Sequence, residues 1–91
     1  MYRIIDNRGS GKTGRLMLLA KETNSAIACA NPSAMQQKAY AYGIVGIDFI
    51  SYDQLYNGEY EGNVMIDEIE NYINRYLCSC KFTGYTLSNE D

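Results

Sequence analysis

The sequence predicts an α/β domain with a predominantly parallel sheet of about five strands, flanked by helices in three layers. Short apolar runs of strand length alternate with segments of helical periodicity along the chain, which is typical of a parallel sheet. At 91 residues the chain has the length of one domain. Its hydrophobic share of 46% and charged share of 21% are ordinary for a globular protein.

The N-terminal part predicts a strand, a glycine-bearing turn and a helix. The strand is expected over residues 2–5, the turn over residues 6–13, and the helix from there to about Thr23. A strand, a turn that ends in Gly-Lys-Thr and a helix form the context of a phosphate-binding loop. Its glycines let successive N–H groups converge on phosphate oxygens, and the helix N-terminus adds partial positive charge.

The candidate nucleotide ligands of this turn are Gly9, Ser10, Gly11, Lys12 and Thr13. Lys12 could reach the terminal phosphates, and the Thr13 hydroxyl could bind Mg²⁺. The full pattern requires glycine where this chain has Asp6, and Gly9 is expected to supply the missing backbone freedom. The alternative interpretation is a surface turn of glycine and serine that caps a helix.

The middle of the chain predicts two further strands with a helix between them. Residues 26–30 are a continuous apolar run, as expected of a strand that is buried on both faces. Asn31 and Pro32 then mark the start of a helix that Gly43 ends. Residues 47–50 predict the next strand.

A short helix and another strand follow. Ser51 opens a capping-box pattern, which predicts a helix over residues 52–56. Apolar residues 64–66 then lead into Asp67 and Glu68, so this strand is expected to place two carboxylates at its carboxyl end. In an open parallel sheet that end lies beside the predicted phosphate loop, where ligands bind.

The two carboxylates have different expected roles. Asp67 could hold Mg²⁺ opposite the Thr13 hydroxyl, and Glu68 could take a proton from a water that attacks the terminal phosphate. The alternative is an acidic helix start that the helix dipole favours. The pair therefore predicts a nucleotide site only in combination with the Gly-Lys-Thr turn.

The last third of the chain predicts an amphipathic helix and a fifth strand. Residues 69–77 carry apolar side chains at helical spacing, and residues 81–87 are rich in β-prone side chains. The three cysteines, Cys29, Cys78 and Cys80, are expected to be reduced and buried as small apolar residues.

Charge and hydropathy limit the partners. A net charge of −3 and a pI of about 4.8 predict no basic surface, so nucleic acid is expected to bind only locally or through a partner. No apolar run approaches the ~18 residues of a membrane span, and no signal-peptide pattern precedes the first predicted strand. These features predict a protein of the cytoplasm that has no membrane partner.

These motifs resemble those of small bacteriophage-type P-loop NTPases of the Asp-Glu class, and more specifically the first RecA-like core of superfamily-two helicases. Residues 9–13 resemble the first helicase motif, and residues 64–68 resemble the Asp-Glu box. The resemblance implies one minimal P-loop domain over residues 1–91. It also implies that the last strand inserts between the strands that carry Lys12 and Asp67.

The same resemblance implies the cofactors and the roles of the site residues. ATP and Mg²⁺ would be the cofactors, and residues 9–13 would hold the nucleotide. Lys12 and Glu68 would be the catalytic residues, and Thr13 and Asp67 would bind the metal. Helicases carry a second core whose arginine completes the site, so a protein partner or a homo-oligomer is expected.

The implied function is a magnesium-dependent ATP-binding core, with hydrolysis left open, in a phage-encoded assembly for DNA metabolism in the host cytoplasm. The alternative is a phage-type inhibitor of a host defence system, for example an anti-CRISPR protein, that uses the P-loop scaffold as a protein-binding module. Nine tyrosines and an acidic chain are typical of such an interface. A thymidine-kinase-like interpretation ranks third, because the cysteine cluster of that family's zinc lobe is missing from the sequence.

Overall fold

The computed structural model describes residues 1–5 and 11–88. Within these ranges the chain forms four helices and three strands in alternating order. The elements are α1 (Lys12–Thr23), β1 (Ala26–Cys29), α2 (Pro32–Ala41), β2 (Phe49–Ser51), α3 (Tyr52–Tyr56), β3 (Val64–Ile66) and α4 (Ile69–Arg75). The predicted α/β class is thereby confirmed.

Strand β1 is the centre of the parallel sheet, whose order is β2-β1-β3. In the observed register Ile27 lies opposite Phe49 on one side and opposite Met65 on the other. All four residues of β1 are buried. The prediction that this apolar run forms a strand buried on both faces is confirmed.

Two hydrophobic clusters cover the two faces of the sheet. Because side chains alternate along a strand, Ile27 and Cys29 point to one face and Ala28 points to the other. The first cluster packs α1 and α2 on the sheet through Met17, Ala20, Ile27, Cys29, Ala39, Ile44 and Ile47. The second contains Ala28, Ile50 and Tyr52, against which side chains of α3 and α4 pack. Helices therefore lie on both faces of the sheet.

The prediction of a five-stranded RecA-like sheet is wrong. The chain of 91 residues forms three strands in its described part, and neither residues 2–5 nor residues 81–87 form a strand. Ile5 is 85% exposed and Leu87 is 55% exposed, so these segments do not bury the apolar surface that would offset the entropy lost on ordering. The last segment also does not insert beside β3, because the neighbour of β3 is β1.

Local capping signals place the starts of α2 and α3 as predicted. The side chain of Asn31 accepts a hydrogen bond of 3.1 Å from the N–H of Ala34 at the start of α2. At the start of α3 the capping box is complete, because Ser51 Oγ accepts from the Gln54 N–H at 3.1 Å and Gln54 Oε1 accepts from the Ser51 N–H at 2.9 Å. Each cap satisfies backbone donors that a helix N-terminus leaves unpaired.

Helices α3 and α4 are joined at the surface by hydrogen bonds to Asp53 and by a stacked pair of tyrosine rings. Arg75 donates to both carboxylate oxygens of Asp53, at 2.9 Å from Nε and 2.6 Å from Nη2, and the Tyr76 hydroxyl donates to Oδ1 at 3.0 Å. These hydrogen bonds, above all those from Arg75, lower the pKa of Asp53 to about 2. The rings of Tyr56 and Tyr76 stack with centroids 4.1 Å apart. Helices this short depend on such tertiary contacts, since isolated short helices are marginal in water.

The three cysteines are free, and they occupy different environments. Cys29 is buried, as predicted, and burial raises its thiol pKa to about 11. Cys78 and Cys80 are exposed, so the prediction of buried side chains is wrong for both. In residues 1–5 and 11–88 there is no helix with the length and hydropathy needed to span a membrane.

Candidate functional site

The described part of the predicted phosphate loop is its junction with α1. Gly9 and Ser10, two of the predicted nucleotide ligands, lie outside the described residues. Gly11 is the N-cap of α1 and has a φ of +84°, a left-handed conformation that glycine adopts without steric penalty. Lys12 and Thr13 are the first two residues of α1, and both are half-buried.

The two predicted acids follow β3 directly. The N–H of Asp67 donates to the carbonyl of Ala28 at 2.9 Å, which continues the hydrogen bonding between β3 and β1. Asp67 is half-buried, and Glu68 is exposed and forms the N-cap of α4. Both acidic residues therefore lie just beyond the carboxyl end of β3.

An ion pair joins the start of α1 to the end of β3. The distance from Lys12 Nζ to Glu68 Oε1 is 2.8 Å, and the two side chains are 26% and 44% exposed. Residues that are 56 positions apart in sequence thus meet at one edge of the sheet. The structure brings together these two residues, which the sequence names as catalytic candidates.

Asp67 lies in the electrostatic field of the same ion pair. Burial raises the pKa of Asp67 and the charge of Glu68 raises it further, while the charges of Lys12 and Lys38 lower it. The carboxylate is thus partly withdrawn from water, and a bound cation would stabilise its charged form.

The oxygen donors that the sequence predicts for Mg²⁺ are the Asp67 carboxylate and the Thr13 hydroxyl. No cluster of three or more His, Cys, Asp or Glu side chains that could hold a metal occurs in the described ranges. Mg²⁺ keeps several waters and is commonly bound by one or two carboxylates together with substrate phosphates. Asp67 directly follows β3, and Thr13 lies in the first turn of α1.

Tyr52 fixes the backbone of the two acids, and the sequence did not indicate this role. Its hydroxyl donates to the carbonyl of Asp67 at 2.6 Å, and the carbonyl of Glu68 lies 3.4 Å away. The ring is buried and meets the ring of Tyr72 edge-on at 5.4 Å. Burial, and next the charge of Asp67, raise the pKa of Tyr52 to about 12.

We expect Tyr52→Phe to lower the free energy of unfolding by about 0.5–1.5 kcal/mol, the usual net contribution of one hydrogen bond. The ring would stay packed, so the loss reports only the hydroxyl. Urea denaturation followed by circular dichroism measures it. Tyr40→Phe is the matched control, because Tyr40 is 61% exposed and its hydroxyl should contribute little. Equal effects of the two substitutions would contradict the role of Tyr52.

A pocket opens next to this tyrosine, and its lining does not include Lys12, Asp67 or Glu68. It has a volume of about 380 Å³ and is lined by Ala30, Ser51, Tyr52, Asp53, Asn71, Asn74 and Arg75. Ala30 follows β1 and Ser51 ends β2, so the pocket lies at the carboxyl ends of these strands, where open α/β sheets bind ligands.

Comparison with known proteins identified no relative of this chain. No protein-family model, no curated protein and no solved structure matches it.

Proposed function

We propose that this chain binds a nucleoside triphosphate, expected to be ATP, together with Mg²⁺ at the carboxyl end of β3. The observation that carries the proposal is the 2.8 Å ion pair between Lys12 and Glu68. In this pair a lysine from the first turn of a helix that follows glycine meets the second of two acids that directly follow β3. A helix N-terminus with a lysine favours phosphate, and a nearby carboxylate favours the accompanying Mg²⁺.

The proposal gives each residue at this edge a role. Lys12 would contact the terminal phosphates, while Thr13 and Asp67 would hold the magnesium ion. Glu68 would accept the proton of a water that attacks the terminal phosphate. Bound Mg²⁺ would neutralise phosphate charge. Tyr52 would keep the backbone of the two acids in place through its hydrogen bond to Asp67.

Hydrolysis is proposed as a second step that needs another subunit. An arginine supplied across an interface increases phosphoryl transfer by about 10³–10⁵. Arg75 forms an ion pair with Asp53 between α4 and α3, so in the isolated chain it is not the arginine that stabilises the transferred phosphate. We therefore propose slow turnover by the monomer and stimulation by a partner or a second copy, as in an assembly for DNA metabolism.

The test of nucleotide binding is thermal unfolding with and without Mg-ATP. A ligand at about a hundredfold excess over its dissociation constant adds about 2.7 kcal/mol, which raises the melting temperature of a domain this size by about 10 °C or more. Glu68→Gln should retain the shift and abolish turnover, whereas Asp67→Asn should lose the dependence on Mg²⁺. Wild-type protein that shows no shift at millimolar Mg-ATP would refute the proposal.

A protein-binding module is the second candidate, and one surface feature favours it. Three large apolar side chains on residues 40–45 are more than half exposed: Tyr40 at 61%, Tyr42 at 52% and Val45 at 56%. Exposed aromatic side chains are enriched at protein interfaces. An inhibitor of a host defence system, such as an anti-CRISPR protein, could use this segment. Failure of Mg-ATP to bind would favour this candidate.

A further inference from the structure

The ammonium group of Lys12 is already occupied by a carboxylate. Glu68 Oε1 lies 2.8 Å from Lys12 Nζ, which is the distance of a charge-assisted hydrogen bond. In the proposed function the same ammonium contacts the terminal phosphates of a nucleotide. The Glu68 carboxylate and the triphosphate would both bind this ammonium group. The two anions therefore compete for one lysine.

The backbone of Glu68 is held by hydrogen bonds, while its side chain is partly exposed to solvent. The residue has a φ of 55°, a left-handed conformation that is sterically unfavourable for a residue with a Cβ atom. Its carbonyl accepts from the N–H groups of Asn71 at 2.9 Å and Tyr72 at 3.3 Å, and the Tyr52 hydroxyl lies 3.4 Å away. These contacts hold the main chain, whereas the side chain is 44% exposed.

Resting on the proposed function, we propose that Glu68 is an internal latch on Lys12, which nucleotide displaces when it binds. Rotation of the Glu68 side chain into solvent frees the ammonium for phosphate. The same movement frees the carboxylate that would act as the base. When the phosphates leave, the ion pair forms again and competes with rebinding. The apparent affinity of the site for phosphate is thereby lowered, because only the fraction of molecules with an unpaired Lys12 can bind it.

The test compares the affinity of four proteins for Mg-ATP by isothermal titration calorimetry. Glu68→Gln removes the charge of the latch. Glu68→Asp keeps the charge but shortens the side chain by one methylene, so we expect its carboxylate to lie beyond hydrogen-bond distance of Lys12 Nζ. Both should bind about two- to five-fold more tightly than wild type, which is the contribution of a partly exposed ion pair that no longer has to be broken. Glu70→Gln, in the first turn of α4, is the charge control and should bind like wild type.

Each outcome separates this inference from the proposed function. If Glu68→Gln binds more tightly but Glu68→Asp binds like wild type, charge repulsion explains the gain and the latch is wrong. If neither substitution at Glu68 changes the affinity, or if Glu70→Gln gives the same gain, the latch is also wrong although nucleotide still binds. If wild type binds no Mg-ATP, the proposed function fails and the latch fails with it. Circular dichroism spectra confirm that each variant is folded.

Discussion

Lys12→Ala should weaken binding of Mg-ATP by about 2–4 kcal/mol, which is about 30- to 1,000-fold in the dissociation constant. The substitution removes the positive charge that would meet the terminal phosphates, and alanine retains the helical propensity of this position in α1. The protein should remain folded, because the ion pair that is lost is partly exposed and such pairs contribute little to stability. Isothermal titration calorimetry measures the affinity.

The matched control is Lys21→Ala. This residue is the basic side chain in the last turn of the same helix, and it is exposed. Its removal changes the net charge equally but leaves the edge of the sheet at β3 intact, so affinity should stay within about twofold of wild type because distant surface charges are screened. Equal losses in the two variants would show that net charge, and not the position of Lys12, governs binding.

Met17→Ala should lower the free energy of unfolding by about 2–5 kcal/mol. The Met17 side chain is fully buried in the cluster that packs α1 on the sheet, and its truncation leaves a cavity there. A small domain has only about 5–15 kcal/mol in total, so the variant should lose much of its stability. Urea denaturation monitored by circular dichroism gives the difference.

The neighbouring residue provides the control for this effect. Leu18 is 60% exposed on the same helix, so Leu18→Ala should change the free energy of unfolding by no more than about 0.5 kcal/mol. Both substitutions replace a large apolar side chain of α1 by alanine. Similar losses in the two variants would mean that α1 does not pack on the sheet through Met17.

The sequence was informative where short-range signals determine the structure. Asn31 with Pro32 and the Ser51 capping box predicted where α2 and α3 begin, because side chains that lie within three residues satisfy the first N–H groups of a helix. The apolar residues of β1 predicted a strand buried on both faces, and each of them is buried. Each of these signals lies within a few residues of the helix or strand that it predicts.

The terminal strands were predicted wrongly because β-propensity depends on what covers a segment. Val, Ile, Tyr and Thr favour strands mainly when they pack on a half-buried surface. Tyr2 is 68% exposed and Tyr85 is 60% exposed, and their segments do not pair with the sheet. The sequence does not show whether a β-prone segment will find a sheet surface to pack on. The resemblance to a larger RecA-like core then supported five strands, whereas residues 1–5 and 11–88 form three.

In the candidate site, too, residues in short sequence patterns could be predicted, whereas residues that act through distant contacts could not. Lys12, Asp67 and Glu68 were candidates from the sequence because each belongs to a short pattern, and the structure places Lys12 Nζ 2.8 Å from Glu68 Oε1. Tyr52 and Lys38 were missed, although Tyr52 holds the Asp67 backbone and Lys38 lowers the pKa of the Asp67 carboxyl. Their effect on Asp67 arises from packing between elements that are distant along the chain, and no local pattern encodes it.

The central position of β1 has a consequence for the order in which the protein forms during synthesis. β1 is complete at Cys29, yet both of its partner strands come later in the chain, and the second ends only at Ile66. At about 5–20 residues per second the ribosome needs about 2–7 s to add the intervening residues. During this interval the strand that is fully buried in the final sheet has one or both edges unpaired. A nascent chain in that state would be open to association with other chains, and the emergence of β3 would end this exposure.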